Sequence, residues 1–179
     1  MPVTMPALFV TTYRGDTDHF EHVLKYLFLP AVTAAGFKPL LPISTGSAVI
    51  QADIMEKLWI ADLVLCDIST LNANVFFELG VRTAIDRPVA IVKDQYVTSV
   101  PFDVSLINYH SYDASPPSWE LEAEIANLSR HLLNVTAGGN TLWKLFGASP
   151  VPLHPELAPR RNESPASATR SPRRQTRKR

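Results

Sequence analysis

The stretch Asp62-Leu63-Val64-Leu65-Cys66-Asp67-Ile68-Ser69-Thr70-Leu71-Asn72-Ala73-Asn74-Val75-Phe76-Phe77-Glu78-Leu79-Gly80 decides how this chain is read. Four consecutive apolar residues between two aspartates have the pattern of a strand covered on both faces, and Asp67 puts a carboxylate at its end. A polar turn over residues 69–73 leads into a helix predicted over residues 74–85. That helix must close before Pro88, whose ring disfavours helical geometry in the residue ahead of it. Val89-Ala90-Ile91-Val92 then returns as a further buried strand.

Working outward, the same alternation repeats. Ala7-Leu8-Phe9-Val10-Thr11-Thr12 is apolar and β-branched and is predicted to be the first, central strand. Asp16 or Thr17 can cap the next segment, where Phe20, Val23, Leu24, Leu27, Phe28 and Val32 recur at helical spacing up to Gly36. Pro30 inside it should kink or split the helix near Leu29, because the ring removes a hydrogen bond and clashes with the preceding turn. A second strand is expected over residues 38–41, and a second helix over 48–60 with Ile50, Ile54, Leu58 and Trp59 as its apolar set. A fifth strand over about 106–112 and a last helix capped by Ser118 complete the unit. Strands alternating with helices imply parallel neighbours joined by right-handed crossovers. The expected fold is α/β: a flavodoxin-like three-layer sandwich around a mainly parallel five-stranded sheet of order 2-1-3-4-5.

Composition sets the outer limits. With 179 residues, 46% apolar and 19% charged, the chain is long enough for one domain with a real core. No run approaches the roughly 20 apolar residues of a membrane span, and residues 1–12 lack the basic start of a secretory signal. The expected compartment is the cytoplasm, and the single Cys66 fits a reducing one. The net charge of zero hides a split: residues 1–157 carry nine Lys and Arg against sixteen Asp and Glu, and residues 158–179 carry eight against one. The domain is therefore drawn over residues 1–150. Residues 151–179 form a basic Pro- and Arg-rich tail, too poor in apolar residues to offset ordering entropy. This tail either solubilises the chain or makes weak contact with nucleic acid through counterion release.

In a sheet of this order the ligand crevice opens at the carboxyl ends of the strands, where the order reverses between the first and third. Thr11, Thr12, Tyr13, Arg14, Gly15 and Asp16 follow the first strand, and Asp67, Ser69, Thr70, Asn72, Asn74 and Glu78 follow the third. A helix carboxylate beside a strand-end carboxylate suits N-glycosidic chemistry, in which one group supports the positive charge developing on the sugar and another orients or protonates.

These residues carry a resemblance. Residues 62–69, then Asn72-Ala73-Asn74-Val75-Phe76-Phe77-Glu78-Leu79-Gly80, then Pro88-Val89-Ala90-Ile91-Val92, resemble the central block of the nucleoside 2-deoxyribosyltransferase-like and TIR-like superfamily. Phe77-Glu78-Leu79-Gly80 after a strand-end Asp is its signature, and Pro101-Phe102-Asp103 with Tyr112-Asp113 is similar to a bacterial TIR-like branch. The resemblance implies cleavage of a bond between a ribosyl or deoxyribosyl C1′ and a base nitrogen, with Glu78 and Asp67 as catalytic residues. It implies Thr11, Tyr13, Arg14, Ser69, Asn72, Asn74 and Arg82 as substrate-binding residues. NAD hydrolysis releasing nicotinamide is the first activity expected, on the strength of Arg14 and of Arg82 one helical turn from Glu78. NAD is then the substrate, and neither a cofactor nor a metal is expected. Nucleoside 2-deoxyribosyl transfer or nucleoside hydrolysis with Glu78 as nucleophile is the alternative, and a non-catalytic nucleotide-binding or self-associating module is another. Homo-oligomerisation is expected, and the TIR-like branch suggests bacterial defence.

Each sharp assignment has a plainer counterpart. Glu78 can pair with Arg82 on a solvated helix face, an i,i+4 contact worth a few tenths of a kcal/mol. Asn72 and Asn74 can serve as turn and N-cap residues, and Asp67 can brace the turn after its strand. His19 and His22 are expected as solvated helix residues, Trp59, Phe76 and Phe77 as core, and Tyr13 as the stacking residue.

Overall fold

The computed structural model describes residues 2–4, 18–41, 47–101, 108–138, 143–144 and 147, with residues 2–4 and 47–51 described by their backbone alone. The elements run in chain order as strand β1 (Pro2–Thr4), helix α1 (His19–Val23), a π-helical turn (Leu24–Phe28), α2 (Leu29–Ala34), β2 (Lys38–Leu40), α3 (Ser47–Ile60), β3 (Leu63–Asp67), α4 (Ala73–Ala84), β4 (Val89–Asp94), β5 (Tyr109–Tyr112) and α5 (Leu121–Gly138). The fold is mixed α/β around a parallel sheet, as the alternation of strand and helix patterns implies.

The pairings are all parallel. β3 lies against β4 with Val64 opposite Val89 and Asp67 opposite Val92, and β4 lies against β5 with Asp94 opposite Tyr112. The short β1 pairs with β2 on one side and with β3 on the other. It lies upstream of residues 7–12, where the first strand is expected, and that segment falls outside the described residues. The expected loop residues Thr11, Tyr13 and Arg14, the caps Asp16 and Thr17, and the basic tail over 158–179 fall outside them too.

Alternating side chains divide the core between the two faces of the sheet. Leu63, Leu65, Ala90, Val92 and Tyr112 join Val23, Leu27, Phe28, Val32, Leu128 and Leu132 on the face covered by the α1–α2 segment and α5. Val64, Cys66, Ile68 and Ile91 join Ile54, Leu58, Val75 and Leu79 on the face covered by α3 and α4. All five residues of β3 are buried, which accounts for the uninterrupted apolar run Leu63-Val64-Leu65-Cys66 ahead of Asp67.

At Pro30 the helical segment is not split but changes its hydrogen-bond spacing. The turn ahead of it widens to π-helical spacing over Leu24–Phe28, so that the Leu29 N–H donates to Leu24 O, five residues back. The wider turn takes the proline ring without ending the helix. Gly36 closes α2 at φ +78°, a conformation that costs other residues dearly. The last helix starts three residues beyond Ser118, because residues 118–120 form a turn in which Glu120 N donates to Pro117 O (2.8 Å).

Candidate functional site

The carboxyl ends of β3, β4 and β5 are tied together by side chains. Asp67 closes β3, and its Oδ1 accepts from Ser69 N (2.9 Å) and Ser69 Oγ (2.5 Å). Its Oδ2 accepts from the phenol of Tyr112, at the end of β5 (2.8 Å). Ser69 Oγ in turn accepts from Asp94 N, at the end of β4 (2.7 Å). Burial pushes the Asp67 pKa up, against the lowering effect of the Ser69 and Tyr112 donors and of His19. The Tyr112 phenol is pushed up by burial and by the neighbouring Asp67 charge, so it stays a donor.

The turn that leaves this network sets up α4. Leu71 N donates to Ile68 O (3.0 Å), and Leu71 itself sits at φ +52°, a left-handed conformation uncommon for a residue with a side chain. Asn72 is the N-cap, accepting from Asn74 N through Oδ1 (2.8 Å). The cap role considered for Asn72 is therefore occupied, and Asn74, which supplies the N–H, is exposed.

Glu78, in the second turn of α4, is only 5% exposed. Among the described residues its Oε2 has no hydrogen-bond partner. Burial pushes its pKa up to about 7, which leaves the carboxyl close to evenly divided between acid and carboxylate at neutral pH. The Cys66 thiol, on the face of β3 that α4 covers, is raised by burial and then by the charges of both Asp67 and Glu78.

Two expectations are corrected here. Arg82 is not a substrate-binding residue: it is fully buried at the far end of α4. Its Nη1 donates to Leu58 O (2.5 Å), its Nη2 to Ala61 O (2.7 Å) and its Nε to Pro88 O (3.2 Å). Burial, then the Arg87 charge, lower its pKa to about 9, still well above neutrality, so it remains a cation clamping the amino-terminal side of β3 and β4. The solvated Glu78–Arg82 pair falls with it. Phe77, expected in the core, is 62% exposed, whereas Phe76 is partly buried against the α3–α4 side of the core.

Asp67 and Glu78 come to the carboxyl edge from different sides. Asp67 shares the face of Leu63 and Leu65, where Tyr112 meets it, while Glu78 belongs to the helix that packs on Val64, Cys66 and Ile68. Ser69 belongs to the Asp67 network and is buried with it.

Three residues of this edge escape a sequence reading. Tyr112 ends β5 fully buried, and Asp94 ends β4 fully buried with Oδ1 accepting from Tyr96 N (2.9 Å). His19, at the start of α1, brings Nε2 to 3.8 Å from Asp94 Oδ2, with its side chain 11% exposed. His22 is exposed as expected, but His19 is not a solvated histidine. The available signal was positional: in a parallel sheet every strand delivers its last side chains to the same edge, so Asp94 and Tyr112 carry the same signal as Asp67.

No protein-family model matches the chain, and no curated protein matches it. Among the described residues no helix is long and apolar enough to cross a membrane.

Proposed function

We propose that this chain is an N-glycosidase acting on a nucleotide, with NAD hydrolysis and release of nicotinamide as its reaction and Glu78 as the working carboxylate. The observation that carries the reading is Glu78 itself: a carboxyl group 5% exposed, with one oxygen unpartnered among the described residues and a pKa raised to about 7 by burial. Such a group is costly to keep in a fold and is typical of working sites.

In this scheme the C1′–N bond breaks with its electron pair passing to the pyridinium nitrogen, and nicotinamide departs neutral. The Glu78 carboxylate stabilises the positive charge that spreads over C1′ and the ring oxygen, and a water oxygen bonds to C1′ as its proton is released. A pyridinium needs no proton to leave, so one carboxylate suffices. A base leaving an uncharged nucleoside departs as an anion unless a second group protonates it. Asp67 is poorly suited to that second role, because both its oxygens already accept hydrogen bonds on the other face of the sheet. This favours the pyridinium substrate over deoxyribosyl transfer, although Arg82 no longer supports it. Asp67, Ser69 and Tyr112 are then positioning residues that hold the turn leading to α4.

The whole chain is read as a flavodoxin-like three-layer sandwich with a five-stranded sheet of order 2-1-3-4-5, on which this site occupies the carboxyl edge. Homo-oligomerisation and a weak contact of residues 158–179 with nucleic acid belong to the same proposal. Sedimentation and loss of RNA affinity at low salt on deleting the tail test them respectively. For the activity, the full chain is incubated with NAD and nicotinamide is followed by chromatography. Glu78→Gln is expected to lower release by about a hundredfold or more with the fold intact; release that survives the substitution overturns the assigned role.

A further inference from the structure

α4 turns an uncharged face to solvent. Its exposed residues are Ala73, Asn74, Phe77, Gly80 and Ala84, and its two charged residues, Glu78 and Arg82, are both buried. A helix at a protein surface ordinarily puts charge on its outer side, as α3 does with Glu56 and α5 with Glu122 and Arg130. Phe77 stands 62% exposed in the middle of this face, and Gly80 lies three residues on. A glycine inside a helix weakens it relative to alanine, and packing does not demand one here: a Cβ at Gly80 would meet no atom of the described residues within 4 Å. α3 ends beside α4, where Leu58 O and Ala61 O take the Arg82 guanidinium, and Ile60 between them is 49% exposed.

We infer that this face of α4 is the surface on which a second copy of the chain docks, helix against helix, antiparallel about a two-fold axis. Ala73, Phe77, Gly80 and Ala84 follow one another at spacings of four, three and four, the repeat of a helix–helix seam. The series of spacings reads the same in either direction. An antiparallel copy therefore sets each Phe77 over the partner's Gly80 and each Ala73 against the partner's Ala84, so the projecting ring meets the gap left by the missing side chain. Charge points to the same occupant. Residues 1–157 carry nine Lys and Arg against sixteen Asp and Glu, so two copies meet at least electrostatic cost on an uncharged face, while a nucleic acid or an anionic membrane finds no cation on α4 to hold it. α4 is about 18 Å long, so the seam, even with Ile60, falls short of the roughly 800 Å² per partner of a standard interface, and the dimer is a weak one. The inference rests on the homo-oligomerisation proposed above and gives it a surface.

The test is sedimentation of the full chain from about 1 to about 300 µM, over which it should pass from monomer to mostly dimer. Gly80→Gln puts a good helix former into open space, so it should keep or raise the melting temperature at about 1 µM while weakening dimerisation by about tenfold or more, because it fills the gap that receives Phe77. Phe77→Ser removes the ring from a solvent-facing position and should weaken dimerisation as much; it decides the matter if Gly80→Gln does not fold. The register is read by cross-linking. Ala73→Cys mixed with Ala84→Cys and oxidised with copper phenanthroline should give a disulfide-linked dimer that neither variant gives alone, the native Cys66 being buried. Dimerisation undiminished in Gly80→Gln and Phe77→Ser, or cross-linking by Ala73→Cys alone, overturns the α4 seam while leaving homo-oligomerisation through another face. A chain that stays monomeric at every concentration overturns both, and neither result bears on the release of nicotinamide, which Glu78→Gln tests separately.

Discussion

Removing the charge of Glu78 should stabilise the protein at alkaline pH and not at acid pH. Burial holds the Glu78 carboxyl at about 7 in the folded chain, against an ordinary value of 4.5. Below pH 4.5 both folded and unfolded chains carry the proton, and Glu78 makes no pH-dependent contribution. Between 4.5 and 7 the unfolded chain releases its proton first, so stability falls as pH rises, and the loss levels off above about 7. Each unit of separation corresponds to about 1.4 kcal/mol, so the full effect approaches about 3 kcal/mol. In Glu78→Gln this loss disappears. A buried amide carries its own unmet hydrogen bonds, at a cost that does not vary with pH. The informative quantity is therefore the change in the difference between variant and unsubstituted protein, measured by urea denaturation from pH 4.5 to 8.5. The difference should move in favour of Glu78→Gln by about 2–3 kcal/mol over that range. A flat difference would refute the argument, because it would mean that the carboxyl ionises as freely in the folded chain as in water.

Arg82→Met should destabilise the fold by about 3 kcal/mol or more in urea denaturation, since it strands the Leu58, Ala61 and Pro88 carbonyls; near-normal stability would show that they are satisfied elsewhere. Tyr112→Phe removes a donor to Asp67 Oδ2 and should cost about 1–3 kcal/mol at neutral pH while raising the Asp67 pKa further, a shift that carboxyl NMR would detect; an unmoved resonance would contradict the network. His131 stacks on His110 with ring centroids 5.5 Å apart, and burial, then the His110 charge, hold its pKa below the ordinary 6.5. As pH falls through 6.5 the unfolded chain takes up a proton that the folded chain resists, so stability drops on the acid side. His131→Phe should lessen that drop in thermal melts between pH 7.5 and 5, and an unaltered acid slope would count against it.

The sequence was most legible where local signals agree with tertiary ones. The apolar run of β3, the Asn72 cap and the return at Val89 all point to one strand–turn–helix–strand unit, and the boundaries fall within a residue or two. Pro30 announced a defect in the first helical segment, but only coordinates could show that the chain absorbs it as a π turn. The arginine and the aromatics were less legible because spacing along a helix does not say which face is covered. Arg82 lies one turn from Glu78 in sequence, yet it turns to the opposite end of the sheet and satisfies three carbonyls. Phe77 has the chemistry of a core residue and faces water, since Val75, Glu78, Leu79 and Arg82 take the buried side of α4. Asp94 and His19 are far apart in the chain, and their approach depends on strand order and on the entry of α1, which no local pattern encodes.

The most direct test of the central claim is base release by the full chain, followed by liquid chromatography and mass spectrometry, on NAD, on deoxynucleosides with acceptor bases and on nucleoside monophosphates. Unsubstituted protein and Glu78→Gln are run side by side at pH 8, where the Glu78 carboxyl is mostly ionised. The account predicts nicotinamide and ADP-ribose from NAD, lost in the variant. Base exchange on deoxynucleosides without action on NAD, or silence on every substrate, would contradict it.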